Sequence, residues 1–302
     1  MRRGNQAFAC LGAILLGSCG NVSDPLPSES SLTPRWATLS YGIYPQSNVK
    51  DEDTVSLLDS LGEATSNGWC LLDGEYYAKR KASPDRPDYA FDDGDPIVSG
   101  EEYWFKCEPI LWDVLSSLEG ERSLVSSFLL DARRYREKSY KGTDSEYYSS
   151  GHYANNYEES EIRGWLNNDF CSSAFCLDDS SLLATPINNQ GSTTDYPSNA
   201  FACEDTVDKA YLPSYQDYLN ADYLFSPDPY KSDLARRCKT TDWARASGTR
   251  CYSGSCGIYW ARSPYSSYSS GVHLVSSEGS LYSGYVNVSY CSVRPAITIK
   301  AS

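Results

Sequence analysis

The sequence predicts an α+β fold with short helices and several antiparallel β-hairpins. Strand and turn signals dominate from Trp36 onward, two segments place apolar residues at helical spacing, and the C-terminal region is rich in β patterns. Early helices and scattered hairpins do not form the alternating βαβ order of a parallel sheet. Because residues 36–302 contain no internal repeat and no Pro/Gly-rich linker, we expect a single globular domain there.

The first part of this domain predicts strands around one helix. Residues 37–44 are rich in β-forming side chains and predict a strand. Residues 54–61 place leucines at helical spacing behind acidic residues, which predicts a helix. The Asp-Gly pair at residues 73–74 lies between two β-rich runs and is typical of a two-residue hairpin turn. Residues 103–115 predict an apolar strand that Pro109 interrupts.

The second part predicts further short helices and then a β-rich end. Residues 158–168 place apolar side chains at i, i+3 and i+4 while their glutamates face solvent, which predicts a second helix. A shorter helix is expected after Ser214. The remaining predicted strands cover residues 272–275, 281–290 and 293–299, with a turn at 277–279.

The amino terminus predicts export and lipidation. Two arginines precede an apolar run, residues 7–16, that is too short to span a bilayer. The Leu-Gly-Ser-Cys sequence ending at Cys19 resembles a bacterial lipobox, which implies that Cys19 is acylated; ordinary signal cleavage is the alternative. We therefore predict a signal peptide over residues 1–18 and an acylated, flexible tether over residues 19–35. The expected location is the bacterial cell envelope, on its exterior or periplasmic face.

Export determines how the cysteines are interpreted. Of the 11 cysteines, one lies in the predicted signal peptide and one at the anchor, which leaves nine. In an oxidising compartment these are expected to form disulfides, with Cys171 and Cys176, and Cys251 and Cys256, spaced as local loop staples. Since nine is odd, at least one is expected to be unpaired or to pair between chains. CxxC spacing is missing, so no metal site is predicted.

Charge and motif content exclude several classes of function. The formal net charge is −14, whereas nucleic-acid binding depends on clustered Lys and Arg, so no nucleic-acid partner is predicted. The sequence has only two histidines and no P-loop, GxGxxG, GxSxG or HExxH motif, so we predict no cofactor and no enzyme activity. The enzymatic alternative is an exported hydrolase or thiol oxidase that uses Cys251 or Cys256 as an activated thiolate.

The segment from residue 265 to 291 has the composition of a binding surface. It contains nine Ser and five Tyr, and Glu278 is its only residue among Asp, Glu, Lys and Arg. Tyrosine combines a broad apolar ring with a polar tip, which suits both protein recognition and sugar stacking. The predicted contact residues are Tyr265, Tyr268, Tyr282 and Tyr285, with Trp260 beneath them as support. The alternative is a hairpin whose tyrosines merely pair across strands.

Several short motifs together resemble one family. They include Y-G-I-Y-P-Q at residues 41–46, Y-W-F-K-C-E-P-I-L-W at 103–112, W-A-R-S-P at 260–264 and V-R-P-A at 293–296. Their order resembles an uncharacterised domain-of-unknown-function family of bacterial surface proteins and lipoproteins, over about residues 37–299.

A more distant resemblance is to the C-type-lectin-like fold of formylglycine-generating-enzyme relatives. This resemblance implies a C-type-lectin-like domain in which Trp260, Arg262 and Arg294 are framework residues. The two arginines are expected to hold carboxylates or carbonyls inside the fold. The calcium-binding motifs of lectins and the paired catalytic cysteines of the oxidases are missing, so neither activity follows from the fold.

The combined prediction is a lipid-anchored cell-surface protein that recognises a glycan or protein ligand without catalysis. Two alternatives stay open: the exported enzyme described above, and an envelope scaffold that binds no small ligand.

Overall fold

A seven-stranded antiparallel sheet is organised around one long strand. The computed structural model describes residues 36–61, 67–137, 153–252 and 255–301. Strands are numbered in chain order, and the sheet order is β10-β16-β5-β4-β3-β2. Strands β3 and β5 pair with different parts of one edge of β4, and β1 pairs with the opposite edge of β4. The strands are β1 Thr38–Asn48, β2 Trp69–Leu72, β3 Glu75–Lys81, β4 Glu102–Leu118, β5 Glu121–Ser126, β10 Ala210–Tyr211 and β16 Ala296–Lys300.

A second, five-stranded sheet carries the tyrosine-rich segment. Its order is β14-β13-β12-β15-β7, and only the β12–β15 pair is parallel. Its strands are β7 Asp131–Ala132, β12 Tyr259–Pro264, β13 Gly271–Val275, β14 Leu281–Tyr285 and β15 Ser292–Val293. Two small pairs complete the strands: β6 Phe128–Leu129 with β11 Lys239–Thr240, and β8 Thr185–Ile187 with β9 Thr206–Asp208.

The helices are short, as predicted, but their bounds differ. Helix α1 spans Glu52–Leu61, which confirms the first predicted helix. The second predicted helix begins at Glu161 and not at residue 158, because the Ser160 side chain caps it by accepting a hydrogen bond from the Arg163 amide. Helix α2 Glu161–Trp165 continues through a π-helical turn, Leu166–Phe170, into α3 Cys171–Ala174. Helix α4 spans Asp242–Ala246, and 3-10 turns cover Gly191–Thr193, Asp217–Leu219 and Ala221–Tyr223. The helix expected after Ser214 is therefore only two such turns.

Two local predictions in the larger sheet have opposite outcomes. Asp73 and Gly74 both adopt positive φ, 51° and 83°, as a two-residue hairpin turn requires, so that prediction is confirmed. The predicted interruption at Pro109 is wrong, since β4 runs through it. On one edge of β4, β3 pairs only up to Lys106 and β5 only from Trp112. Proline, which has no amide hydrogen to donate, is tolerated in this gap.

The smaller sheet has a hydrophobic core on both faces. Along β13, Val272 and Leu274 join the main core, which also contains Trp112 and Trp260. Val275, on the opposite face, joins a second core with residues such as Tyr218, Tyr259, Phe225 and Leu281. Side chains alternate between faces along a strand, so this sheet separates the two cores.

The prediction of a disulfide-stapled domain is corrected by the structure, because no disulfide occurs in the residues that it describes. Cys171 is part of the main core, whereas Cys176 is exposed beyond the end of α3. Cys256 is fully buried, and the Cys251 thiol lies against the Thr240 hydroxyl at 3.6 Å. The four cysteines that were expected to form local staples are thus separate thiols in different environments.

The coarse fold class is confirmed: the protein is a mixed α and β structure with few helices and many antiparallel strands. The described residues all belong to one compact unit. The predicted signal peptide, Cys19 and the tether lie outside the described residues. Within those residues, no helix combines the length and apolar character needed to cross a membrane.

Candidate functional site

Three of the four predicted contact tyrosines lie together. The ring centroids of Tyr265 and Tyr268 are 5.2 Å apart, and those of Tyr268 and Tyr285 are 5.4 Å apart. We call these three residues the tyrosine array. Tyr285 is 44% exposed, and the other two are partly exposed, so the array forms a surface rather than a core. Such a surface offers apolar ring faces and polar hydroxyls to a ligand.

The array is held by a braced loop between β12 and β13. The Tyr265 amide donates to the Gly271 carbonyl at 2.9 Å, and the Gly271 amide donates to the Tyr268 carbonyl at 3.2 Å. The Asn155 side chain donates to both of these carbonyls, at 3.2 Å to Tyr268 and 2.9 Å to Gly271. Gly271 has no side chain, and a Cβ at this position would overlap the Tyr268 ring. The loop therefore fixes the Tyr268 ring against the backbone.

A buried imidazole and a carboxylate lie next to the array. His273, on β13, is 4% exposed and contacts the rings of Tyr215 and Tyr265 at centroid distances of 4.3 and 5.4 Å. Its Nε2 is 3.4 Å from Asp195 Oδ1. Neither ring nitrogen of His273 has a hydrogen-bond partner in the described residues. Asp195 Oδ2 also accepts from the Ser266 hydroxyl at 2.7 Å, which connects this pair to the loop of the array.

The Asp195 carboxylate is stabilised in its charged form. Burial alone would raise its pKa, but His273 and the Ser266 hydroxyl outweigh burial, and the pKa is lowered from its ordinary value. Asp195 is consequently ionised at neutral pH. The array thus has an ionised carboxylate beside it, which can accept hydrogen bonds from ligands that present hydroxyl or amide donors.

Tyr282 and Trp260 do not belong to the array. In the β13–β14 hairpin, Tyr282 pairs with Leu274, whereas Ser283 pairs with His273. Side chains alternate between faces along a strand, so Tyr282 lies on the face opposite to His273 and Tyr285. Trp260 is fully buried in the main core, where its Nε1 donates to the Arg133 carbonyl at 2.8 Å. Trp260 supports the sheet, but from the face opposite to His273.

Arg262 and Arg294 both lie inside the fold and bind a carbonyl and a carboxylate there. Arg262 donates to the Leu212 carbonyl at 2.9 Å and pairs with Asp217 at 3.0 Å. Arg294 donates to the Ser126 carbonyl at 3.0 Å and pairs with Asp113 at 3.2 Å. Both side chains are nearly completely buried, so they hold loops and strands together rather than face a ligand.

Among the described residues, burial is the largest influence on the pKa of the two cysteines of the enzymatic alternative. Burial raises the pKa of both Cys251 and Cys256. A protonated thiol is a poor nucleophile, and a reactive cysteine needs a lowered pKa or a neighbouring base. In the described residues, no three His, Cys, Asp or Glu side chains converge as metal ligands.

A further cavity of about 830 Å³ lies beside the π-helical turn and was not predicted. Its lining includes Asn167, Asp169, Cys176, Asp179 and Lys209. Lys209 is paired with Asp179 at 3.3 Å, and Asn167 is engaged by the Lys209 amide, so these groups already have partners.

Sequence reasoning missed His273 and Asp195. His273 is one of only two histidines, and its position in an apolar strand segment indicates burial but no role at a site. Asp195 is distant in sequence and lies in a polar loop, where nothing distinguishes it from other aspartates. Their proximity depends on tertiary structure.

One family model matches the chain, a domain of unknown function (DUF6273), over residues 124–301. The matched range begins in β5, includes the complete five-stranded sheet, and contains the tyrosine array, His273 and Asp195. Neither a search of curated proteins nor a search of solved structures found a match.

Proposed function

The chain belongs to the DUF6273 family, and from the tyrosine array we propose that it is a recognition module that binds a glycan or protein ligand without catalysis. The proposal places the protein in the bacterial cell envelope, held to the membrane by a lipid on Cys19. It includes a C-type-lectin-like arrangement of the domain, which is supported by the buried framework positions of Trp260, Arg262 and Arg294.

The observation that carries this proposal is the contiguity of the three rings on a braced loop. Tyrosines that only form cross-strand pairs would all lie on strands. Here Tyr265 and Tyr268 lie on the loop between β12 and β13, and the Tyr268 ring contacts the ring of Tyr285 on β14. Aromatic surfaces with fixed geometry bind with a small loss of conformational entropy. The ionised Asp195 and the Ser283 hydroxyl, 3.5 Å from the Tyr268 hydroxyl, supply polar groups at the edge of the array.

The test is a glycan array combined with a pull-down from envelope proteins. The test variant carries Tyr265→Ala, Tyr268→Ala and Tyr285→Ala together. The matched control is Tyr282→Ala, which removes a tyrosine of similar exposure from the opposite face of the same hairpin. We expect the triple variant to lose binding and the control to retain it.

The two alternatives have distinct outcomes in the same experiment. Binding that survives the triple substitution in a folded protein would remove the array as the site. Crosslinking to envelope proteins with no sugar bound would instead support the scaffold alternative. Turnover of a bound ligand that is abolished by Cys256→Ser would support the thiol enzyme, which the burial of that thiol disfavours.

A further inference from the structure

We propose that a cavity beside Arg133 binds a small ligand through a carboxylate group. The cavity has a volume of about 300 Å³, and its lining includes Arg133, Arg134, Glu137, Glu161, Trp165 and Ser289. We call it the Arg133 cavity. It shares no residue with the tyrosine array, so this proposal stands or fails independently of the proposed function.

Arg133 has hydrogen-bonding capacity that the protein does not use. Its guanidinium group stacks on the Trp165 ring, with 4.2 Å between the guanidinium carbon and the ring centroid. Its Nε is shielded from solvent and has no hydrogen-bond partner in the described residues. Arg133 Nη2 lies 3.8 Å from Asp131 Oδ2, and no other carboxylate of the described residues forms an ion pair with Arg133. This distance is beyond hydrogen-bond range.

Asp131 is already satisfied by other donors. It accepts from the Tyr44 hydroxyl at 2.9 Å, from Arg80 at 3.1 Å and from Trp243 Nε1 at 3.3 Å. The carboxylate therefore attracts the Arg133 guanidinium electrostatically without engaging its N–H groups. Together with the stacking on Trp165, this attraction orients Arg133. The side chain remains 39% exposed, so its Nη groups rather than the shielded Nε are the donors that a ligand can reach.

The other charged groups of the cavity are engaged. Arg134 donates to both carboxylate oxygens of Glu137, at 2.6 and 2.7 Å, and to the Asn287 carbonyl at 2.9 Å. Glu161 accepts from the Glu137 amide at 3.1 Å. Of the two arginines in the cavity, Arg133 is thus the one whose guanidinium N–H groups form no side-chain hydrogen bond within the described residues.

These features select a carboxylate over other anions. A guanidinium group presents parallel N–H donors that match the two oxygens of a carboxylate. The two arginines and two glutamates that line the cavity balance in charge, which disfavours a doubly charged phosphate and favours a single negative charge. A cavity of this size lies at the lower end of ligand pockets and suits one sugar or one amino-acid unit. The carboxylate could belong to an acidic sugar or to the end of a peptide.

The experiment measures binding of defined probes to the purified full chain in detergent by ligand-observed NMR. Sodium glucuronate represents an acidic sugar, N-acetylglycine represents a peptide terminus, and glucose and sodium sulfate are the neutral and inorganic controls. The variants are Arg133→Gln, which removes the charge, and Arg133→Lys, which keeps the charge and loses the fork. The matched control is Arg86→Gln, because Arg86 is an exposed arginine that pairs with Asp88.

We expect glucuronate or N-acetylglycine to bind, and the tighter of the two identifies the source of the carboxylate. Arg133→Gln is expected to weaken binding by about tenfold or more, and Arg133→Lys by less. Arg86→Gln is expected to leave it unchanged. Thermal unfolding verifies that each variant is folded. The proposal is overturned if neither carboxylate binds, if sulfate binds as tightly, or if folded Arg133→Gln binds like the unsubstituted protein.

Discussion

Asp131 joins the two sheets, and replacing it by asparagine tests how much that junction contributes. Asp131 lies on β7 of the smaller sheet. Its carboxylate accepts from Tyr44 on β1 and pairs with Arg80 on β3, both in the larger sheet, and accepts from Trp243 on α4. Asparagine has nearly the same shape but no charge, so the substitution removes the ion pairs without leaving a cavity.

The magnitude follows from the burial of the partners. The Asp131 side chain is 1% exposed, and removing one member of a buried pair costs about 3–5 kcal/mol. The side chain of Arg80, which loses its ion pair, is 21% exposed, and that of Arg133, which loses a weaker attraction at 3.8 Å, is 39% exposed. Water therefore recovers part of their solvation. We therefore expect a loss of about 2–3 kcal/mol in the free energy of unfolding. For a domain of this size, that corresponds to a decrease in Tm of about 4–6 °C.

The assay is urea unfolding followed by tryptophan fluorescence, with Asp88→Asn as the control. Asp88 pairs with Arg86 on the surface, and exposed pairs of this kind contribute about 0–1 kcal/mol. A loss of stability in Asp131→Asn no larger than that in Asp88→Asn would contradict the expected contribution of the Asp131 junction.

The same substitution predicts a change in the acid dependence of stability. Burial would raise the pKa of Asp131, but Arg80, Arg133 and the Tyr44 hydroxyl outweigh burial and lower it from its ordinary value. Its contribution to stability is therefore present above the unfolded pKa of about 4 and is lost as the pH falls through the folded pKa. The unsubstituted protein should lose stability more steeply in this acid range than Asp131→Asn. Equal steepness would contradict the assignment.

Three further predictions concern other positions. Gly271→Ala should displace the Tyr268 ring, costing about 1–3 kcal/mol in urea unfolding and weakening ligand binding; unchanged binding would mean that the ring position is unimportant. In the native protein, alkylation should modify the exposed Cys176 before the buried cysteines. Partial burial of its thiol raises the Cys176 pKa, so the rate should increase toward alkaline pH. Peptide mass spectrometry gives the order of modification, and earlier modification of a buried cysteine would contradict the prediction. Arg236→Lys should lower the free energy of unfolding by about 3 kcal/mol or more, because Arg236 donates to five backbone carbonyls; a calorimetric loss below about 1 kcal/mol would contradict this.

Local structure was predictable where neighbouring residues determine it. The hairpin turn at residues 73–74 needs two positive φ angles, and Asp-Gly supplies them. Helix α1 depends on its own acidic start and leucine spacing. Pro109 was misjudged because its tolerance depends on where β3 and β5 end, which is a property of the assembled sheet.

The candidate site was only partly predictable, for physical reasons that differ between residues. Tyr282 and Tyr285 are three positions apart, and an odd separation within a strand places side chains on opposite faces, so their separation follows from strand geometry. The pairing of His273 with Asp195 joins a strand to a distant loop and has no sequence signature. The cysteines were interpreted from the predicted compartment, which carries no information about which thiols meet.

The central claim is that the tyrosine array binds a ligand, and a calorimetric titration of a ligand from the glycan array or pull-down tests it most directly. Each lost aromatic contact is worth about 1 kcal/mol, so the triple Tyr265, Tyr268 and Tyr285 alanine variant should lose about 3 kcal/mol and bind about 150-fold more weakly. Tyr282→Ala should bind within about twofold of the unsubstituted protein. A folded triple variant with unchanged affinity, or a loss on Tyr282→Ala as large as that of the triple variant, would contradict the claim.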